Sequence, residues 1–298
     1  MSGNEPVRVM IGITTYRRPA LLDSLLDLVE CRITDVSGRI DASILVVDND
    51  PEESARAVVT ARAGARYVAE HMPGIAAARQ RVLDETPDGE LLLFLDDDVI
   101  PSDGWLDPLI DVQKQYSATV VAGYVRYTFP QGTDPWVMKG GFMRRQTHAT
   151  GTRLPAAAAG NILVDVDAVR RLGVSFDRSL GLSGGEDTLF TRQLVRAGGS
   201  IVWCQESEVD GPVVVERTTP GAESTDYNSI VIDARRKRER ADCHPRAGVG
   251  RSTARQVLHV LRESHGRLRP PRLRRQRRRS VADLRAWRAA RARHRVLS

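Results

Sequence analysis

The sequence predicts an α/β fold whose sheet is mainly parallel and is flanked by helices. Two patterns support this prediction. Short segments rich in Val, Ile and Leu alternate with segments whose apolar residues recur at helical spacing, as in sheets built from helical crossovers. Three of the apolar segments also end directly at polar residues, and parallel sheets bind their ligands beyond the carboxyl ends of their strands. The 298 residues, 41% of them hydrophobic, are enough for one large domain or two small ones.

Each element follows from its local pattern. We predict strands over residues 7–14, 43–47, 65–68, 91–95, 119–127 and 200–204, and helices over residues 19–29, 52–63, 74–83, 105–115, 169–172 and 188–197. Residues 128–155 are rich in Gly, Thr, Gln and Arg, which predicts a long loop or lid. Residues 181–187 form a glycine-rich loop that leads into the last of these helices.

Three consecutive carboxylates, Asp96, Asp97 and Asp98, end the most apolar of the predicted strands. Aspartates often follow strands as turn residues or helix N-caps, and that remains the simpler interpretation. Three adjacent carboxylates repel one another, however, and repulsion raises their pKa values unless a cation compensates. Mg²⁺ or Mn²⁺ takes oxygen ligands and would also hold a diphosphate, so the run favours a metal site.

Other strand ends carry Thr14, Tyr16 and Asp48. An acidic residue after the second strand also suits the ribose of a dinucleotide, but that fold needs a G-x-G-x-x-G motif after the first strand, and GITTYRRP has a single glycine. Glu186 and Asp187 open a helix after two glycines. An acidic first turn is ordinary there, and beside a metal-diphosphate site either residue also becomes a candidate general base.

Together these segments resemble the family 2 glycosyltransferases, which have the GT-A fold, over roughly residues 7–217. The segments occur in the order TTYRRP, VVDND, PGIAAARQ, FLDDDVIPSDGWL, GNILVDVDAVRRLG with FD, and GGED. The resemblance implies an inverting enzyme that moves a sugar from a nucleotide-sugar donor, UDP-linked by preference, to an acceptor hydroxyl. Mn²⁺ or Mg²⁺ is the implied cofactor.

The resemblance also implies roles for single residues. Asp187 would be the general base, with Glu186 as second choice, and Asp98 with Asp96 would hold the metal. The residues implied at the nucleotide sugar are Thr14, Tyr16, Asp48, Arg79, Asp96 and Asp97, and those implied at the acceptor side are Gly160, Asn161 and Trp136. Many metal-dependent relatives add a late histidine, whereas this chain has none before His244. Glu208, Asp210 or water is the implied substitute.

Two other functions fit parts of the pattern. One is a nucleotide-sugar-binding protein without transfer activity, tethered by a basic tail. The other is a GT-A nucleotidyltransferase, which would need a glycine-rich, basic signature after the first strand that TTYRRP does not supply.

Charge divides the chain into two regions. We predict a GT-A domain over residues 1–218 and an Arg-rich, helical or partly disordered region over residues 219–298. Residues 235–298 hold 22 Lys and Arg against 4 Asp and Glu, a net charge of +18, whereas the rest of the chain has a net charge of −12. The tail could be a solvated segment, a membrane-surface anchor with a basic amphipathic helix over residues 280–295, or an oligomerisation arm. Nucleic acid ranks last as its partner, because the tail holds one Trp and no recognisable module.

The expected location is the cytoplasm, with contact at the inner face of the membrane as the alternative. The N-terminus has no signal-peptide pattern, and no apolar segment is long enough to span a bilayer. The cysteines, Cys31, Cys204 and Cys243, are odd in number and widely spaced, so we expect no disulfide framework and no zinc site.

Overall fold

The computed structural model describes residues 5–34, 38–129, 146–181 and 184–212. Its strands are β1 (Val7–Thr15), β2 (Ile40–Asp48), β3 (Ala65–Ala69), β4 (Leu91–Asp96), β5 (Ile100–Pro101), β6 (Val120–Thr128), β7 (Asn161–Asp165) and β8 (Ile201–Pro212). Its helices are α1 (Pro19–Thr34), α2 (Arg56–Thr60), α3 (Ile75–Glu85), α4 (Leu106–Tyr116), α5 (Val166–Leu172) and α6 (Glu186–Arg196). No helix in these ranges is long and apolar enough to cross a membrane.

The strands form one mixed sheet in the order β3-β2-β1-β4-β7-β6-β8-β5. The pairs among β1, β2, β3 and β4 are parallel, as is the pair β6 and β8. By contrast, β7 runs antiparallel to both of its neighbours, and β5 runs antiparallel to β8. The α/β prediction is confirmed, and the longest run of parallel neighbours in the sheet contains the first four strands.

Helices cover both faces of the sheet, so the strands are buried on both sides. One hydrophobic cluster joins β1 to α1 and α4 through residues such as Ile11, Leu25 and Leu109. The other joins the opposite face to α3, α5 and α6 through residues such as Val82 and Phe190. This burial explains the near-continuous apolar runs of the sequence, because parallel strands between two helical layers have no solvent face.

Gly12 shows why the first strand contains a glycine. A Cβ at this position would lie 2.2 Å from Val82 Cγ1 on α3. The glycine therefore allows α3 to pack closely against the middle of β1, and it is not part of a dinucleotide-binding loop.

Two sequence expectations need correction. The helix predicted over residues 52–63 is confined to Arg56–Thr60, and Glu53 before it takes a left-handed φ of 52°. The last strand does not end at residue 204 but continues to Pro212. Among the described residues, Cys204 is a buried free thiol.

The long loop, the tail and the domain boundary cannot be compared with the structure. Residues 130–145 and 213–298 lie outside the described residues. The lid over 128–155, the boundary at 218 and the basic helix over 280–295 therefore stay predictions.

Candidate active site

The candidate active site lies at the edge of the sheet where β1, β2 and β4 end. Their register aligns Thr15 with Asp48 and Thr14 with Asp96. Because the three strands are parallel neighbours, the loops that follow them leave the sheet at the same edge. The structure thus brings together the polar strand ends that the sequence pattern singled out.

Asp97 is the buried member of the three consecutive aspartates. Its carboxylate accepts hydrogen bonds from the Thr15 hydroxyl at 2.8 Å and from Arg18 Nη1 at 3.1 Å. Burial raises the pKa of Asp97 to about 6, although the positive charge of Arg18 opposes the shift. The same Arg18 nitrogen donates to Asp98 Oδ2 at 3.3 Å. One guanidinium therefore contacts two adjacent carboxylates.

Arg79, on α3, joins the carboxylates of Asp96 and Glu186. Its Nη2 donates to Asp96 Oδ1 at 2.9 Å, and its Nη1 donates to Glu186 Oε1. Arg79 and Glu186 are 7% and 5% exposed, whereas the Asp96 side chain is 38% exposed. Asp96 therefore remains accessible to a ligand, while the other two side chains are enclosed and satisfy each other.

Asp187 occupies the first turn of α6, next to Glu186. Its Oδ1 accepts hydrogen bonds from the backbone N–H of Thr188 at 2.5 Å and from the Thr188 hydroxyl at 3.2 Å. Its Oδ2 accepts a longer bond of 3.3 Å from the backbone N–H of Ala159. The carboxylate is half-buried, so its orientation is fixed while one oxygen retains capacity to accept a further proton.

Ala159 and Gly160 place Asp187 close to the aspartate run. Ala159 donates to Asp187, and a Cβ on the next residue, Gly160, would lie 2.6 Å from Asp96 Oδ2. Two consecutive residues therefore lie against the two carboxylates, Ala159 against Asp187 and Gly160 against Asp96. Gly160 is a glycine because a side chain there would collide with Asp96.

Asn161 contacts a neighbouring strand in this structure, and its place at the acceptor side stays a prediction. It is buried, and its Nδ2 donates to Ser207 O at 3.3 Å and to Ser207 Oγ at 3.2 Å. The amide thus ties β7 to β8 where β8 is irregular, opposite Gly123 and Tyr124 of β6. Trp136 lies outside the described residues.

The residues expected around the nucleoside differ in accessibility. Tyr16 is 51% exposed and can offer its ring to a base. Asp48 is fully buried, and its carboxylate accepts hydrogen bonds from the backbone N–H groups of Asp50 at 3.0 Å and Ala55 at 2.8 Å and from the Tyr67 hydroxyl at 3.2 Å. In this structure Asp48 holds the loop after β2 in place, and its contact with a base stays a prediction.

Sequence reasoning missed two residues of this edge, Arg17 and Arg18. Arg17 has a left-handed φ of 54°, and its Nε donates to the buried carboxylate of Asp50 at 3.1 Å. Arg18 contacts the aspartate run, as described above. The sequence did contain a signal for them, namely the pair of arginines directly after the first strand, in TTYRRP. Cations at that strand end lie at the same edge of the sheet as the acidic ends of the neighbouring strands, which predicts ion pairs between them.

The implied metal fits this edge only in part. Carboxylate oxygens of Asp96 and Asp98 are the hard donors that Mg²⁺ and Mn²⁺ prefer, and the Asp98 side chain is 32% exposed. Among the described residues, however, no three His, Cys, Asp or Glu side chains are grouped to hold an ion. Asp210 accepts a bond of 2.6 Å from Arg126, which also contacts Glu208. The donor set suits an ion held by one or two carboxylates and completed by substrate phosphate oxygens.

Comparison with known proteins decides the family. A sequence profile described as Glycosyl transferase family 2 matches residues 10–173, which is more than half of the chain. The chain belongs to glycosyl transferase family 2. It is therefore a transferase enzyme, a glycosyltransferase.

Individual proteins agree with this assignment. The chain is 36% identical over 234 residues to the succinoglycan biosynthesis protein ExoM of Rhizobium meliloti, which covers 72% of this chain and 70% of ExoM. The crystal structure of GalNAc-T7 with UDP, GalNAc and Mn²⁺ is similar with a TM-score of 0.55 at 17% identity, over 89% of this chain and 55% of that one. S. aureus TarS 1–349 in complex with UDP-GlcNAc is similar with a TM-score of 0.53 at 15% identity, over 87% of this chain and 72% of that one. The chain spans 44% of a longer TarS structure. The structural likenesses show the GT-A fold.

Proposed function

We propose that this chain is an inverting, metal-dependent glycosyltransferase that moves a sugar from a nucleotide-sugar donor, UDP-linked by preference, to an acceptor hydroxyl. The observation that carries the proposal is the contact of Asp187 and Asp96 with two consecutive backbone positions, Ala159 and Gly160. A candidate base thus lies next to the carboxylates proposed for the donor. The crystal structures of GalNAc-T7 with UDP and of TarS with UDP-GlcNAc support the choice of donor.

Asp187 is the proposed general base. It would take the proton of the acceptor hydroxyl, whose oxygen then forms a bond to the anomeric carbon of the donor. The bond between that carbon and the diphosphate breaks, and its electron pair leaves with the diphosphate. A single displacement from the opposite face inverts the anomeric centre. Glu186 is the poorer base, because its carboxylate is buried against Arg79.

Asp96 and Asp98 are the residues proposed to hold Mg²⁺ or Mn²⁺ together with the donor diphosphate. When bound, the ion supplies positive charge that stabilises the diphosphate as it leaves. Asp97, the buried residue between them, would add negative charge next to the metal from a fixed position, because Thr15 and Arg18 hold its carboxylate by hydrogen bonds. Thr14 and Tyr16 complete the proposed donor side.

The acceptor and the location of the enzyme are further proposals. We place the acceptor beside Gly160 and Asp187, with Trp136 and the segment 128–155 as candidates for its recognition. The tail, with its net charge of +18 over residues 235–298, would hold the enzyme at an anionic membrane surface from the cytoplasmic side, and it is also a candidate for self-association.

Replacement of Asp187 by Asn tests the function. We expect donor binding to persist, measured as the rise in melting temperature with a nucleotide sugar and Mn²⁺, because a ligand that binds only the native state stabilises it. We expect nucleotide release from the donor to fall by a factor on the order of 10² to 10⁴, the usual contribution of a general base.

The matched control is Asp167→Asn. Asp167 lies on α5, where it accepts a hydrogen bond from the Gly89 backbone before β4 begins, so turnover should not change. Retained turnover in Asp187→Asn would remove Asp187 from the base role. If the wild-type chain bound donors but never released nucleotide, the binding protein without transfer activity would replace this proposal.

A further inference from the structure

Helix α3 contacts both halves of the proposed site. Its buried Arg79 reaches Asp96 at the end of β4 with one terminal nitrogen and Glu186 at the start of α6 with the other. Asp96 belongs to the donor side, and Glu186 is the direct neighbour of Asp187. The Arg79 side chain therefore connects Asp96 of the proposed donor side to the residue next to the proposed base.

The segment before α6 is also fastened to α3. Gln80 Oε1 accepts a hydrogen bond of 2.7 Å from the backbone N–H of Phe176. Arg178 donates to Asp84 at 2.9 Å. Contacts from successive turns of α3 thus fix the chain that leads to Asp187.

A guanidinium suits this task better than an ammonium group would. It is planar and always charged, and it can address two carboxylates in fixed directions. Arg79 is 7% exposed, and both of its terminal nitrogens donate to carboxylates, so little of the group is presented to a donor.

We infer that Arg79 is a positioning residue, which sets the distance between Asp96 and Asp187 through its ion pair with Glu186, and that it is not a ligand of the donor. The inference rests on the proposed function of Asp187. It gives Glu186 a supporting role as the partner that fixes the first turn of α6. An error of about 1 Å between donor and base costs on the order of 10² in rate.

The test compares Arg79→Lys and Glu186→Gln with Arg81→Lys. Lysine keeps the charge of Arg79 but cannot bridge both carboxylates, and glutamine keeps the size of Glu186 while removing its charge. Arg81 is the matched control, because it lies on the same helix and makes a more exposed ion pair with Glu85 at 2.9 Å. Glu186→Gln also serves as the milder variant if Arg79→Lys folds poorly.

We expect both test variants to bind UDP-sugar and Mn²⁺ within about twofold of wild type, measured by calorimetry, while kcat falls on the order of tenfold to a hundredfold. The double variant should lose no more than the worse single variant, because the two residues act as one unit. Weaker donor binding with kcat unchanged would overturn the inference in favour of a direct donor contact. Unchanged kinetics in both variants would also overturn it.

Hydrogen exchange gives a second readout that does not depend on activity. Backbone amides of residues 184–190 should exchange faster in both test variants, because the first turn of α6 loses the ion pair between Arg79 and Glu186. In Arg81→Lys they should exchange at the wild-type rate. Unchanged exchange would overturn the inference. A wild-type chain with no turnover would instead remove the proposed function, and the exchange data would still decide whether Arg79 fixes α6.

Discussion

At the scale of single residues, arginines answer the question raised by three adjacent aspartates. Asp96 contacts Arg79, and Asp97 and Asp98 contact Arg18. These cations reduce the repulsion that makes such a run costly. The sequence pattern favoured a metal ion as the compensating cation. The structure shows arginines in this role, so a metal ion, if bound, would meet carboxylates that are already partly neutralised.

Asp98→Ala should remove the effect of metal on donor binding. In wild type we expect the melting temperature to rise more with UDP-sugar and Mn²⁺ than with UDP-sugar and EDTA, because the metal strengthens binding to the native state. The variant should show the same small rise under both conditions. Asp111→Ala, an exposed aspartate of α4 paired with Arg39, should behave as wild type. An undiminished metal effect in Asp98→Ala would place the ion elsewhere.

Asp48→Asn should destabilise the fold whether or not the residue contacts a base. The buried carboxylate satisfies two backbone N–H groups and the Tyr67 hydroxyl, and an amide offers a single acceptor oxygen in its place. We expect a loss of about 1–3 kcal/mol in the free energy of unfolding, measured with urea. Asp41→Asn, at an exposed position of the same strand, is the control. Equal stability of the two variants would contradict this account of Asp48.

At the scale of elements, α3 organises the site, and glycines permit its position. Gly12 lets α3 approach β1, and Gly74 lets its first turn approach Gly181. Sequence periodicity located this helix to within two residues at each end. It did not reveal that Arg79 of this helix contacts Glu186, the neighbour of the proposed base, because that contact joins residues 107 positions apart.

Gly74→Ala should shift the loop that leads to α6. Gly74 has a φ of 114°, and a Cβ there would lie 2.3 Å from the carbonyl oxygen of Gly181, which is backbone and cannot rotate away. We expect a loss on the order of 1–3 kcal/mol in stability and a lower kcat. Gly104→Ala is the control, since Gly104 also has a positive φ but no atom within 4 Å of its added Cβ. Equal losses in both variants would show that backbone strain, and not the contact with Gly181, sets the cost.

At the scale of the whole molecule, the chain combines an acidic body with a basic tail. The net charge is −12 outside residues 235–298 and +18 within them. Attraction between exposed charges weakens with salt, since the Debye length falls from about 10 Å at 0.1 M to about 3 Å at 1 M. Salt therefore distinguishes electrostatic anchoring from apolar insertion.

The full chain should bind vesicles that contain phosphatidylserine and should not bind vesicles of phosphatidylcholine alone. We expect binding to fall steeply between 0.1 and 0.5 M salt, because Lys and Arg each contribute about 1 kcal/mol at an anionic surface and salt screens them. Cosedimentation measures this. Equal binding to both lipids would reject electrostatic anchoring, and absence of binding to either would leave the solvated tail or the oligomerisation arm as its role.

The sequence by itself determined the α/β class, most of the elements and the family, although it predicted neither β5 nor β7. These follow from local signals, namely apolar periodicity and short motifs that occur in a fixed order. It also placed Asp96, Asp97 and Asp98 at a strand end, because an apolar run of strand length stops there at charged residues.

Only the tertiary structure decided which hydrogen bonds and ion pairs the site residues form. Asp48 and Asn161 occur in motifs that suggested ligand contacts, yet their side chains are buried in hydrogen bonds to loops and to a neighbouring strand. Arg79 donates to both Asp96 and Glu186, a pairing that its motif did not reveal, and its contact with a donor stays a prediction. The direction of β7 and the continuation of β8 to Pro212 depend on partners distant in the chain. Local pattern fixes where a strand or helix lies, whereas the partner of a polar side chain depends on which elements fold against it.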